Sequence, residues 1–298
     1  MQDNQNKIKY LNGGMAFCLM ILCYLIIMVL GEVILLAVGL TGGMAFFCIK
    51  ACYSALAMII IGIWACSKST EKPSVVLGAK KFNPAYIVYA LLLSVVMLFG
   101  FGFINQTIQS FLVKIGYNVS NETQMTVNSL TEYFVYLIFF ALLPAVCEEC
   151  FFRGVMLRGI NGNKITVSLI VGLCFAVYHL NATQMFYQFI YGVSLTYLAL
   201  HSKSVIPGII AHFVNNFLVL TMSYFHQSFR LDNFMVIVMA WILLVIYWAS
   251  IIPYKSKKQY CDYGEDHSNT ITRFWLPFGI VGFVTCDILI TVNLLLLF

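Results

Sequence analysis

Two adjacent glutamates inside an apolar run are the first chemically suggestive feature of this 298-residue sequence. Glu148 and Glu149 follow Phe139-Phe140-Ala141-Leu142-Leu143-Pro144-Ala145-Val146-Cys147 and precede Cys150-Phe151-Phe152-Arg153. Charge inside such a run is costly, so each charged residue there is a candidate functional group. Neighbours on a helix point about 100° apart, so the two glutamates cannot do the same job. Glu149 and Arg153 are spaced i,i+4 and can pair, which gives Glu149 a counter-charge and orients the helix. Glu148 then has no partner on its own helix and is free to face a reaction centre. Pro144 cannot donate to the carbonyl of Phe140 and should bend the helix just before the glutamates. The alternative is a salt-bridged helix end that carries no chemistry.

Two further apolar runs hold polar groups. The first ends in Phe175-Ala176-Val177-Tyr178-His179. A histidine there is either an interfacial residue or a catalyst. The second carries His212 and Asn216, spaced i,i+4 on one face and able to aim donors at one point between helices. The alternative is polar glue between helices. Taken together, two carboxylates, an arginine, two histidines and an asparagine come from three runs within one hundred residues. Lys50 is the main other ionisable group in the apolar blocks; it can snorkel, and no role is assigned to it.

The elements that must position these groups are membrane helices. The chain is 61% hydrophobic and 10% charged, whereas soluble domains carry about 25% charged residues. Apolar blocks near the length of a bilayer crossing predict transmembrane helices. Short alternating segments, the mark of a membrane barrel, are absent from the sequence. The expected spans are 15–40, 42–66, 84–103, 131–157, 165–180, 184–200, 205–226, 233–252 and 274–298. The fold class is all-α, a polytopic bundle of eight or nine spans. The chain divides into N-terminal helices and an outward loop (1–130), a four-helix catalytic core (131–226) and C-terminal helices (227–298).

With the N-terminus inside, Lys7, Lys9, Lys68, Lys72, Lys80, Lys81, Arg153, Arg158, Lys164, Lys203, Lys255, Lys257, Lys258 and Arg273 are cytoplasmic. Lys114 and Arg230 fall outside, as the positive-inside rule prefers. The net charge of +5 is scattered through loops and forms no stripe, which argues against nucleic acid as a partner. The partners are the lipid bilayer and a peptide or membrane-protein substrate. The segment from Ile104 to Leu130 is polar and outward-facing, with N-glycosylation patterns at Asn118 and Asn121. Residues 253–273 form a cytoplasmic loop. The first apolar block is too long for a cleavable signal peptide. The ten cysteines lie mostly in apolar blocks and suggest no disulfide framework. Cys147 and Cys150 form a CxxC, for which a redox or metal role is the weaker reading.

Glu148-Glu149-x-x-x-Arg153, Phe175-x-x-x-His179 and His212-x-x-x-Asn216, in that order, resemble the CAAX protease and bacteriocin-processing (CPBP, or Abi) family. That family includes the type II CAAX prenyl endopeptidases. The resemblance covers about 131–226. It implies an all-helical intramembrane protease with a cavity open to the cytoplasm; the expected location is the plasma membrane of a bacterium. Under it, Glu148 and His179 activate water, His212 and Asn216 stabilise the oxyanion, and Glu149 and Arg153 support the site. It implies no cofactor, with a zinc ion on Glu148, His179 and His212 as the alternative. A proton-coupled transporter and a non-catalytic immunity partner are the readings from other classes. One geometric demand follows from the spans. At about 1.5 Å per residue, His179 lies roughly 20 Å from the inner end of its span and His212 about 10 Å from its own. Either the span boundaries shift, or the fifth helix tilts or begins outside the bilayer.

Overall fold

The computed structural model describes residues 10–116, 127–160 and 162–225, with helical residues at 238, 241–243, 245–247, 281–282 and 284–286. The helices among them are α1 (Gly13–Ala37), α2 (Gly43–Lys68), α3 (Ala85–Lys114), α4 (Leu130–Met156), α5 (Lys164–Tyr178), α6 (Met185–Ser202) and α7 (Ile206–Tyr224). A single helical turn, Pro73–Val76, follows α2. Among the described residues, α1, α2, α3, α4 and α7 are long and apolar enough to cross a membrane, and α5 is a shorter apolar helix. The protein is a helical integral membrane bundle. Its outer surface fits lipid: Ile26, Val33 and Leu36 on α1 are 61%, 58% and 71% exposed. Water would not tolerate so continuous an apolar face.

Local chemistry sets the helix ends. The Asn12 side chain accepts from the Met15 amide and starts α1. At α4, Ser129 Oγ accepts from the Glu132 amide, while Glu132 Oε2 accepts from the Asn128 amide. This resembles a reciprocal capping box. The Asn163 side chain accepts from the Thr166 amide and starts α5. Lys203 takes the left-handed region (φ 62°) and ends α6. These ends agree with the expected spans to within three residues, except at α3. That helix runs to Lys114, well past the expected end at 103. Hydropathy stops at Asn105 and Gln106, but polar residues do not break a helix. Ser110 Oγ donates back to the Gln106 carbonyl at 2.8 Å.

α4 is not a uniform helix. It is π-helical over Leu137–Leu142 and again over Glu149–Met156, with an α-helical stretch Leu143–Glu148 between. The disturbance expected at Pro144 therefore takes the form of a widened turn just before it. Such π segments interrupt α-helices mostly at functional sites.

α1 and α2 form an antiparallel hairpin, as do α5 and α6. α4 lies between the first hairpin and α7, and α7 also packs on α3 and α6. The α5–α6 approach is close enough to require glycine. A Cβ at Gly172 would lie 2.7 Å from the Val193 amide nitrogen, and one at Gly192 would lie 3.0 Å from Gly172 Cα. Small residues let helix backbones meet in a membrane, where no hydrophobic force drives them together.

Lys50 does not snorkel. Its Nζ pairs with Glu32 Oε1 at 2.9 Å across the α1–α2 hairpin and lies over the Phe46 ring. Glu32, 18 residues earlier in sequence, is the ionisable partner that the apolar pattern of α1 obscures. The expected glycosylation patterns at Asn118 and Asn121, the loop 253–273, and Lys7, Lys9, Arg230, Lys255, Lys257, Lys258 and Arg273 lie outside the described residues. Most of the expected spans 233–252 and 274–298 does too.

Gly192→Val should force α5 and α6 apart. The expected cost is about 1–3 kcal/mol, the usual size for overpacking. Thermal unfolding of the purified protein in detergent would show it as a lowered midpoint.

Candidate active site

Arg153 organises the polar centre. It is buried on α4, and its guanidinium donates from Nη1 to Glu149 Oε1 at 2.7 Å. Nη2 donates to the Gly192 carbonyl at 2.9 Å, and Nε donates to Thr196 Oγ1 at 3.3 Å. The cation also lies 4.5 Å from the Phe175 ring centroid. A lone charge in lipid is prohibitive, but this one has a counter-ion, further acceptors and an aromatic face. The close approach of α6 at Gly192 brings that backbone carbonyl within reach.

Glu149 is buried and ties α4 to α7. Its Oε1 accepts from Arg153 and also meets His212 Nδ1 at 3.0 Å. Both neighbours are donors, so His212 carries a hydrogen on Nδ1. Gly208, one helical turn before His212, leaves room for this carboxylate; a Cβ there would lie 2.9 Å from Glu149 Oε2.

Glu148 is held differently. Tyr178 donates its hydroxyl to Glu148 Oε1 at 3.3 Å. Glu148 Oε2 has no hydrogen-bond partner among the described residues and faces His212 Nε2 at 3.8 Å. One carboxylate oxygen is thus anchored and the other is free beside an imidazole.

His179 caps the C-terminus of α5. Its Nδ1 donates to the Phe175 carbonyl at 2.6 Å, which leaves the lone pair of the neutral ring on Nε2. The Phe175 ring touches both imidazoles, with centroids 4.7 Å from His179 and 5.9 Å from His212. Phe175 thus sits between the two histidines, and Tyr178, next to His179, reaches Glu148. Directly after His179, Leu180 sits in the left-handed region (φ 51°). A non-glycine residue pays about 1–3 kcal/mol for such a conformation, which often accompanies functional sites.

Glu148, Glu149, Arg153 and His212 form one linked cluster, and His179 joins it through Phe175 and Tyr178. Asn216 stands apart. It is half-buried, and its hydrogen bond is with the Asn215 side chain at 3.5 Å. The buried interhelical bond on this stretch belongs to Asn215, which accepts from the Tyr187 hydroxyl at 2.7 Å. Tyr178, Gly192, Thr196, Tyr187 and Asn215 had no assigned role in the sequence reading. Only the position of Tyr178, beside a motif histidine, hints at its part.

Cys147 and Cys150 are free thiols. They line an apolar cavity of about 430 Å³ between α2 and α4, with Met58, Gly62, Cys66 and Phe151 among the other lining residues. Among the described residues, no three His, Cys, Asp or Glu side chains stand close enough together to hold a metal ion.

The helical membrane bundle thus brings two buried carboxylates and the His212 imidazole together, with His179 close by. Residues 130–218, from the start of α4 to near the end of α7, match the family of type II CAAX prenyl endopeptidase, Rce1-like proteins. That stretch is similar to the CAAX protease family, and the similarity supports a protease of that general type. No curated protein and no solved structure matches the chain.

Arg153→Met should strand Glu149 as an unpaired buried charge and cost about 3–5 kcal/mol. Adding Glu149→Gln should recover part of that loss. Thermal unfolding of the single and double variants checks the sign.

Proposed function

We propose that this protein is a glutamate-dependent endopeptidase that needs no metal and cuts a lipidated or membrane-associated peptide or protein close to the bilayer. The observation that carries the reading is the division of labour at Glu148: Oε1 is held by Tyr178, and Oε2 is free beside His212 Nε2. A general base needs such a free oxygen within hydrogen-bond reach of water.

In this mechanism Glu148 Oε2, assisted by His179, takes a proton from water as its oxygen bonds to the peptide carbonyl carbon. The carbonyl oxygen becomes an oxyanion. A His212 protonated on both nitrogens keeps Nδ1–H on Glu149 and aims Nε2–H at that oxygen. Asn216 supplies the second donor, which requires its side chain to turn from Asn215 when substrate binds. Collapse of the intermediate breaks the C–N bond, and Glu148 returns its proton to the leaving amine. Fixed donors in a dry site stabilise developing charge strongly, and loss of one costs about a hundredfold or more. Glu149 and Arg153 hold His212 and take no proton. The positive-inside distribution supports a cytoplasmic N-terminus and a site reached from the cytoplasmic side.

The test compares peptides released in cells carrying wild type with those in cells carrying Glu148→Gln, then repeats the cleavage with purified protein in proteoliposomes. Glu148→Gln should abolish cleavage, and His212→Ala should lower it about a hundredfold or more. Activity should survive exhaustive chelation. Zinc-dependent recovery would replace the metal-free mechanism, and proton-coupled transport without cleavage would replace the protease. Cys147→Ser with Cys150→Ser should leave cleavage intact; loss of activity there would bring a thiol role back.

A further inference from the structure

Tyr178 occupies a junction that its neighbours define. Its ring is 6% exposed and packs against Phe152 of α4 at 5.5 Å and edge-on against Tyr24 of α1 at 6.2 Å. Its hydroxyl donates to Glu148 Oε1. Tyr24 brings the α1–α2 hairpin into contact with this ring. The α1–α2 hairpin lies wholly outside the matched stretch 130–218.

We propose that Tyr178 is a positioning residue for Glu148, and that the Tyr24 ring of the α1–α2 hairpin supports it by holding the phenol in place. The inference rests on Glu148 being the base. A carboxylate has two equivalent oxygens and a freely turning terminal torsion. A donor on Oε1 removes that freedom and leaves Oε2 directed at His212 Nε2. The packing of Phe152 and Tyr24 stops the phenol ring from following if the carboxylate turns. Without this hold the base would spend much of its time in unproductive rotamers, and misplacement by about 1 Å can cost a hundredfold.

The test measures kcat and KM for peptide cleavage in proteoliposomes, with thermal unfolding alongside. Tyr178→Phe keeps the ring and removes the hydroxyl. It should lower kcat about tenfold, the size of one hydrogen bond to a charged group, with KM nearly unchanged. Tyr24→Leu, which removes the ring that packs on Tyr178, should lower kcat about two- to threefold, and the effect should vanish in the Tyr178→Phe background, because Tyr24 acts only by holding that hydroxyl in place. A structural role would instead move the unfolding midpoint and leave the two effects additive. Wild-type kcat in Tyr178→Phe, beside an inactive Glu148→Gln, overturns the positioning role and leaves the base in place. Cleavage that persists in Glu148→Gln overturns both. Should Tyr178→Phe fail to fold, Tyr24→Leu decides alone: a lowered kcat with unchanged midpoint and KM supports the inference, and an unchanged kcat overturns it.

Discussion

A guanidinium buried among membrane helices must be neutralised and fully hydrogen-bonded, and this requirement shapes the centre of the protein. Arg153 meets it with groups from four helices: Glu149 on its own helix, the Gly192 carbonyl and Thr196 on α6, the Phe175 ring on α5, and, through Glu149, His212 on α7. Each contact limits where a helix can lie. The Gly172–Gly192 approach lets α6 offer a backbone carbonyl, and Gly208 leaves space for Glu149. Remove the cation, and the carboxylate that orients His212 loses its counter-charge.

That constraint separates the two glutamates. Glu149 spends its accepting oxygen on Arg153 and His212, which makes it part of the frame. Glu148, one residue earlier and turned to another side of α4, meets Tyr178 and His212 but has no cation bonded to it. The π-helical stretch from Glu149 to Met156 begins at the boundary between the two roles. Each carboxylate leaves its Oε2 without a hydrogen-bond partner, so the pair differs in the charge it meets: one bonded to a guanidinium is a poor base, and one beside an imidazole with no bonded cation is suited to proton transfer.

Much of the bundle was legible from the chain. Apolar blocks of bilayer length placed α1, α2 and α4 through α7 within a few residues, because lipid forces every backbone group to find its partner inside its own segment. The i,i+4 pair of Glu149 and Arg153 was legible for the same local reason. The end of α3 was missed because hydropathy reports where lipid contact stops, and hydrogen bonding continues to Lys114. The Glu32–Lys50 pair was missed because it depends on the register of a hairpin. The Asn215 contact of Asn216 was not legible because sharing a helix face with His212 does not fix which neighbour a side chain meets.

By itself the sequence determined that this is a helical membrane protein, which residues share a helix face, and that three apolar runs in the middle of the chain carry the motif glutamates, histidines and arginine. All of these follow from local geometry and from the cost of charge in lipid. Tertiary structure decided that Tyr178 holds one oxygen of Glu148 while the other faces His212, and that the Gly192 carbonyl and Thr196 complete the shell of Arg153. Those contacts join residues about 30 to 60 positions apart, and only the packing of helices against one another fixes distances on that scale.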